Sequence, residues 1–269
     1  MKIYRNIKQI QSKEKLGRRL SMTGLIILFI GLAASFVPNI YPPTEPAPNG
    51  FAAFVQQYWA YISFVALPAG FIFASFGSYY INKFAKRRWP GSKQIERPDE
   101  VFQRSLKGFD AKFSYFAYSL PSPYVVVGPC GVLLFAIRSD KGRVIAKGDR
   151  WKEPFSLGRI FTVFAREGVG SPTQDLQDGE RKIRALLDQA DNESLKEEFG
   201  NVPFGGAAVF INADVQLEVD NPDIPALRAD QVKEFVRRQV REVKLKPSTL
   251  RALSAALVDV AVFQDDDEE

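Results

Sequence analysis

The hydrophobic pattern divides the chain into two unlike parts. Leu20 to Val37 is an 18-residue run without a charge, and no charged residue occurs from Pro46 to Asn82. Runs of this kind predict two membrane-spanning helices, since about 20 residues rising about 1.5 Å each cross a hydrocarbon core of about 30 Å. The spans are expected at about residues 20–37 and 58–81. Trp59 and Tyr61 at one end and Tyr79, Tyr80 and Trp89 at the other suit the interfacial belts. Pro38 to Gly50 contains five prolines and reads as the turn between the spans. Pro68 is expected to bend the second helix. Ala66, Gly70, Ala74 and Ser78 recur every four residues, and the first span offers Gly24, Gly31 and Ser35. Small residues at that spacing let another helix approach closely. The approaching helix is either the other half of the hairpin or, through Gly70, Ala74 and Ser78, a partner protein or second copy.

Beyond residue 98 the periods are those of a water-soluble domain. A helix is expected from Pro98 to Lys107, with Asp99 and Glu100 in its first turn and Val101, Phe102 and Leu106 on one face. Strands are expected at 111–118, 123–128, 131–137 and 143–147, separated by the turns Gly128-Pro129-Cys130-Gly131 and Ser139-Asp140-Lys141-Gly142. Helices near 157–166 and 175–189, strands at 207–211 and 215–219, and helices near 230–241 and 247–258 complete the pattern. A meander, a long helix, a returning strand and terminal helices describe an α/β sandwich, a mixed sheet flanked by helices. The organisation expected is a basic arm at 1–19, a hairpin at 20–82, a juxtamembrane linker at 83–98, a domain at 99–264 and a solvated acidic tail at 265–269.

Charge orients this arrangement. Residues 1–98 hold 13 Lys and Arg against 3 Asp and Glu, whereas the whole 269-residue chain has 36 against 31. Seven of those cations precede the first span, six follow the second, and the loop between carries only Glu45. The rule that Lys and Arg collect on the cytoplasmic side then places both termini there, with the bilayer as first partner. The small residues Ala33, Ala34 and Ser35 after a basic start also fit a cleaved signal peptide, although the apolar run exceeds the usual 7–15 residues or so. The basic arm, with Ile3, Ile7 and Ile10 at helical spacing, is expected to lie on anionic headgroups or in solvent.

Candidate chemistry is narrow. The chain has no His and one Cys, which excludes Ser-His-Asp and Cys-His pairs, imidazole zinc sites and an intrachain disulfide. Phosphate-binding and nucleophile-elbow motifs are missing from the sequence. Cys130 lies in a tight turn without a basic partner and reads as a structural thiol. Neither span contains an ionisable residue, which argues against an ion or proton path within the hairpin.

The stretch YVVVGPCGVLLFAIRSDKGRVIAKGDRW resembles the core of NERD, the nuclease-related domain, through Gly128, Pro129, Gly131, Val132, Gly142 and Trp151. Pro172, Gln174 and the run GAAVFIN resemble the family's later elements, so the likeness covers about residues 99–258. The resemblance implies a restriction-endonuclease-like fold, in which carboxylates hold Mg²⁺ and a lysine assists the attacking water. Alignment on the Gly-Pro turn puts Pro123 at the family's Asp position, and Ala136 and Arg138 at the Glu and Lys of its E-x-K triplet. Glu100 remains as a remnant acid, and Asp110 and Asp140 are the displaced carboxylates that would have to replace the rest.

The resemblance therefore implies no confident catalytic or metal site and leans away from an enzyme. The expected function is a membrane-anchored, catalytically inactive binding or scaffold module without a cofactor. The alternatives are an active nuclease that would take Mg²⁺, and an accessory subunit of a membrane complex. Arg138, Lys141, Arg143, Lys147, Arg150 and Lys152 form a further candidate patch for phosphate, lipid headgroups or nucleic acid, with a solvated face as the plainer reading.

Overall fold

The computed structural model describes residues 1–42, 49–88, 91–154, 168–189 and 198–263. The helix expected near 157–166, the belt residue Trp89, residues 43–48 of the proline turn and the acidic tail lie outside the described residues. The rest falls into two compact units, one built on Ser12–Lys93 and the other on Met1–Gln11 with the described residues from Gln94 onward.

The first unit is a pair of helices, α1 (Ile7–Ile40) and α2 (Gly50–Phe84). Both are long and apolar enough to cross a membrane. They extend beyond the expected spans: α1 continues through Pro38, and α2 continues through Pro68 without a break. Asn49 caps α2, its side chain accepting from Ala52 N at 2.8 Å. The two helices meet along small residues. A Cβ on Gly24 would lie 2.3 Å from Ala74 N, one on Gly77 2.3 Å from Ser21 N, and one on Gly70 2.7 Å from Leu28 N. Ser63 Oγ donates to the Gly31 carbonyl at 3.0 Å. On α1 the seam runs 17, 21, 24, 28 and 31, alternating steps of four and three, the period with which helices pack at a shallow left-handed angle. Gly70 and Ala74 are thus used inside the hairpin, and the seam runs on through Gly77 where the four-residue stripe pointed to Ser78.

The second unit begins at the first residues of the chain. Strand β1 (Lys2–Arg5) pairs in parallel with β2 (Ser114–Ala117), so the expected free basic arm is a strand followed by the first turns of α1. After α3 (Pro98–Ser105) come β2, β3 (Tyr124–Gly128) and β4 (Gly131–Arg138) as an antiparallel meander. Gly131, at φ +98°, takes the left-handed conformation the β3–β4 turn needs. Next are β5 (Gly142–Gly148), β6 (Arg150–Lys152), α4 (Pro172–Leu187), β7 (Phe204–Phe210), β8 (Val215–Pro222), β9 (Ala226–Arg228), α5 (Val232–Glu242) and α6 (Pro247–Val260).

Six strands form one mixed sheet in the order β1-β2-β3-β4-β7-β9, and β6-β5-β8 form a separate sheet of three. The meander, long helix and returning strand read from the sequence are present, with β7 parallel to β4. A single sheet was the expectation. The second one forms because β5 pairs in parallel with β8 and antiparallel with β6. Alternation along the strands fills both faces of the larger sheet. Val132, Leu134 and Ala136 meet Leu176 and Ile183 of α4 and Leu253 of α6. On the other face Phe102 of α3 packs against Tyr115, Tyr124 and Phe135, and Phe235 of α5 lies edge-on to Phe135. Prolines open α3, α4 and α6 at the first turn, where a missing N–H costs nothing.

Candidate functional site

The positions expected to correspond to the nuclease carboxylates and lysine lie just before β3 and on β4, and the chain uses them for structure. Pro123 precedes β3, and its carbonyl accepts from Tyr118 N at 2.8 Å, closing the β2–β3 turn. Ala136 is in the core beneath α4. Arg138, two residues on and on the same face, is only 6% exposed. Its Nε donates to the Val169 carbonyl at 2.8 Å, and its Nη2 pairs with Asp175 in the first turn of α4. Val169 N in turn donates to Glu153 at 2.9 Å, and Trp151 Nε1 to Thr173 Oγ1 at 3.0 Å. The arginine therefore clamps the entry of α4 to the end of β4, which removes it from the surface patch proposed for it.

The remnant acid Glu100 and the displaced carboxylates Asp110 and Asp140 form no metal-holding group among the described residues. Glu100 caps α3: Oε2 accepts from Arg97 N at 3.2 Å and Oε1 pairs with Arg97 Nη2 at 3.1 Å. Asp110 accepts from Lys112 N at 3.0 Å, forming a turn before β2. Asp140 is buried beside the β4–β5 turn. Among the described residues no group of three or more Asp, Glu or Cys is placed to hold a metal ion. A hard cation wants several oxygen ligands, and Pro123, Ala136 and Arg138 bring no acidic one, so these residues do not fit Mg²⁺.

Three other cations of the expected basic patch are paired with acids. Arg143 Nε lies 2.5 Å from Glu218 and Lys147 Nζ 2.7 Å from Asp220, both across the β5–β8 pairing, and Lys141 Nζ is 3.7 Å from Asp214. The hydrogen bond to Glu218 raises the Arg143 pKa and that to Asp220 raises the Lys147 pKa. Arg150 and Lys152 flank the inward Trp151 and point outward. The face is a ladder of opposite charges.

Sequence reasoning missed the principal buried charge of this unit. Asp99 is fully buried between two guanidinium groups, with Arg5 Nε 3.0 Å from Oδ2 and Arg97 Nε 3.0 Å from Oδ1. Arg5 also bonds Gln103, and the Tyr115 hydroxyl donates to the Asp99 carbonyl at 3.5 Å. Burial opposes the Arg97 charge, and the carboxylates of Asp99 and Glu100 more than offset it, so its pKa stands above the ordinary value. Burial pushes the Tyr115 and Tyr124 phenols well up, and Tyr124 shares a hydrogen bond with Tyr118. Tyr118 holds φ +58°, a conformation costing about 1–3 kcal/mol for a non-glycine residue. Burial likewise pushes the Cys130 thiol up to about 11, which makes it a poor nucleophile. No local signal marks the cluster: Lys2-Ile3-Tyr4-Arg5 does not alternate, and four residues are too few to separate a strand from the helical spacing of Ile3, Ile7 and Ile10.

Compared with known proteins, the chain matches no family model, no curated protein and no solved structure.

Proposed function

We propose that this chain is an integral membrane protein of two spans with both termini in the cytoplasm. In this reading its globular unit is a degenerate, NERD-like domain that acts as a binding or scaffold module. The observation that carries the reading is the parallel pairing of β1 with β2. The strand before the first apolar helix shares a sheet with strands that follow the second, and two crossings return a chain to the side it left. The cations flanking both helices support the cytoplasmic side. The pairing also speaks against removal of the first span as a signal peptide, since cleavage would take β1 from the sheet and Arg5 from Asp99.

Loss of nuclease chemistry is supported by the roles taken at the aligned positions: a turn at Pro123, core packing at Ala136 and a clamp at Arg138. The test has two arms. With Cys130→Ser as background, Thr44→Cys in sealed right-side-out vesicles is expected to react with a membrane-impermeant maleimide, and Ser92→Cys only after permeabilisation. The reverse pattern overturns the topology. Full-length protein with Mg²⁺ or Mn²⁺ is expected to leave single- and double-stranded DNA and RNA intact. Metal-dependent cleavage abolished by Glu100→Gln, which keeps the helix cap, restores the nuclease.

A further inference from the structure

A groove of about 560 Å³ lies within the globular unit, between the outer strand of the larger sheet and α6. Lys2 and Tyr4 of β1 point to one face, opposite Ser114 and Phe116 of β2. Leu250, Ser254 and Val258 of α6 recur every four residues and form the facing wall. Leu245 N, just before α6, donates to the Pro129 carbonyl at 2.7 Å and ties this wall to the β3–β4 turn. Tyr4, Leu245, Leu250 and Val258 are partly buried and continuous with the core, so the floor is apolar. The volume falls in the range of about 300–1,000 Å³ usual for small-molecule sites.

The charge of the lining has one sign. Lys2, Lys112, Lys244 and Arg251 are its charged residues, and all four are exposed. Among the described residues none of them lies in a salt bridge, unlike Arg104 with Glu96, Arg143 with Glu218 or Arg181 with Asp178. Exposed Arg150 and Lys152 are also without an acidic partner among those residues, but Lys2, Lys112, Lys244 and Arg251 line one groove. Four unneutralised cations over a low-dielectric floor concentrate anions. An apolar floor beneath a cationic rim is complementary to a molecule with one apolar chain and one anionic head.

We propose that this groove binds a single-chain anionic amphiphile, its acyl chain along Tyr4, Leu250 and Val258 and its phosphate or carboxylate head among Lys2, Lys112, Lys244 and Arg251. The proposal deepens the reading of a module held at a bilayer and rests on it only for where such a ligand comes from.

The test uses full-length protein in phosphatidylcholine nanodiscs and dodecyl phosphate carrying a chain-terminal diazirine. Photolysis is expected to label the segment from Leu245 to Val258. Unlabelled dodecyl phosphate should compete, while dodecyl maltoside and inorganic phosphate should not. Lys244→Glu with Arg251→Glu should lower labelling at least tenfold, and so should Ala255→Trp, which fills the groove from an exposed position without changing its charge. An unchanged thermal midpoint shows that each variant is folded. Labelling that survives both variants, equal competition by dodecyl maltoside, or competition by inorganic phosphate alone would overturn the proposal. Labelling that appears only after deletion of Asp265–Glu269 would assign the groove to the chain's own acidic end. Because the probe is added free and topology is read by the maleimide pattern, failure of either proposal is distinguishable from failure of the other.

Discussion

The helical hairpin and the globular unit bury surface in opposite ways. In the hairpin the seam is made mainly of glycine, alanine and serine, with Leu28 and Leu67 beside Gly70 and Gly31, while large apolar side chains face outward, Phe29 at 72% and Phe64 at 81% exposure. In the globular unit Phe102, Tyr115 and Phe116 are fully buried and the periphery is charged. The difference is what two solvents would select. In water, removing large apolar side chains from solvent is the main gain, at roughly 25 cal/mol per Å². In lipid that gain vanishes, and association depends on how closely two backbones approach. Polar groups divide along the same line. The globular unit surrounds Asp99 with two cations, whereas the hairpin joins Ser63 to a backbone carbonyl and places the pair Glu14 and Arg18 near the start of α1, 2.7 Å apart.

The strongest way to break the globular half of this comparison is to remove its buried anion. Asp99→Ala leaves Arg5 and Arg97 nearly buried without their carboxylate, and the expected loss is about 3–5 kcal/mol. It should appear as a large drop in the thermal midpoint followed by near-ultraviolet circular dichroism, with fast hydrogen exchange at the β1 amides. Replacing all three groups together, as Arg5→Met, Arg97→Met and Asp99→Leu, should recover part of the loss, because burying three charges was itself costly. No recovery would show that the cluster contributes net stability.

The matching test of the hairpin adds side chain where the structure has none. Gly24→Leu or Gly77→Leu puts a Cβ within 2.3 Å of a backbone nitrogen, so the helices must separate. The expected cost is about 3 kcal/mol, at the upper end for overpacking. It is checked by the distance between spin labels on the two helices. Ser78→Leu, one residue off the seam, should move that distance far less. Equal effects at 77 and 78 would mean that the seam is misassigned.

How much of this could be read from the chain follows the same division. Both long helices were legible because lipid-length apolar runs are a one-dimensional signal, and small residues announced a close contact. Most of the seam was legible too, since Gly24, Gly31, Ala66, Gly70 and Ala74 lie on it. Its continuation through Gly77 was not, because a four-residue stripe drifts around a helix and the packing follows a 3.5-residue period. In the globular unit the meander, α4 and the terminal helices followed from alternation, caps and turns. The strand β1 and the sheet β6-β5-β8 did not, since both depend on parallel pairing between segments far apart in sequence. Arg138 and Asp99 were hidden for the same reason. Their partners Asp175 and Arg5 lie 37 and 94 positions away, and nothing local marks a charge as buried.

A smaller effect concerns pH. The Cys130 thiol is raised to about 11 from an ordinary 9.0 because the folded state buries it. Above pH 9 the unfolded chain loses this proton more readily than the folded one, so stability is complete below about 9 and falls as pH approaches 11. At about 1.4 kcal/mol per unit the loss approaches 2–3 kcal/mol. The phenols of Tyr115 and Tyr124, also raised, add to the decline above about pH 10. Cys130→Ala should therefore flatten the stability profile between pH 9 and 10 and leave the steeper fall beyond it. An unchanged slope between pH 9 and 10 would place the thiol in contact with solvent.

The smallest expected effect sharpens the comparison at the surface. Arg143 and Lys147 each face an acid on β8, and all four groups are bathed in water. Surface pairs of this kind gain little because their charges are already solvated and salt screens them. Arg143→Gln with Lys147→Gln should leave the thermal midpoint within error of the parent at physiological salt. It should also leave any affinity for DNA or RNA, and the salt slope of that affinity, unchanged, because cations already neutralised by Glu218 and Asp220 release few counterions on meeting a phosphate. A measurable fall in the salt slope would show that the acids give way to phosphate and that β5 presents a binding face after all. An unchanged slope would leave any recognition of anions by this unit to cations without an acidic neighbour, such as Lys2, Lys112, Lys244 and Arg251.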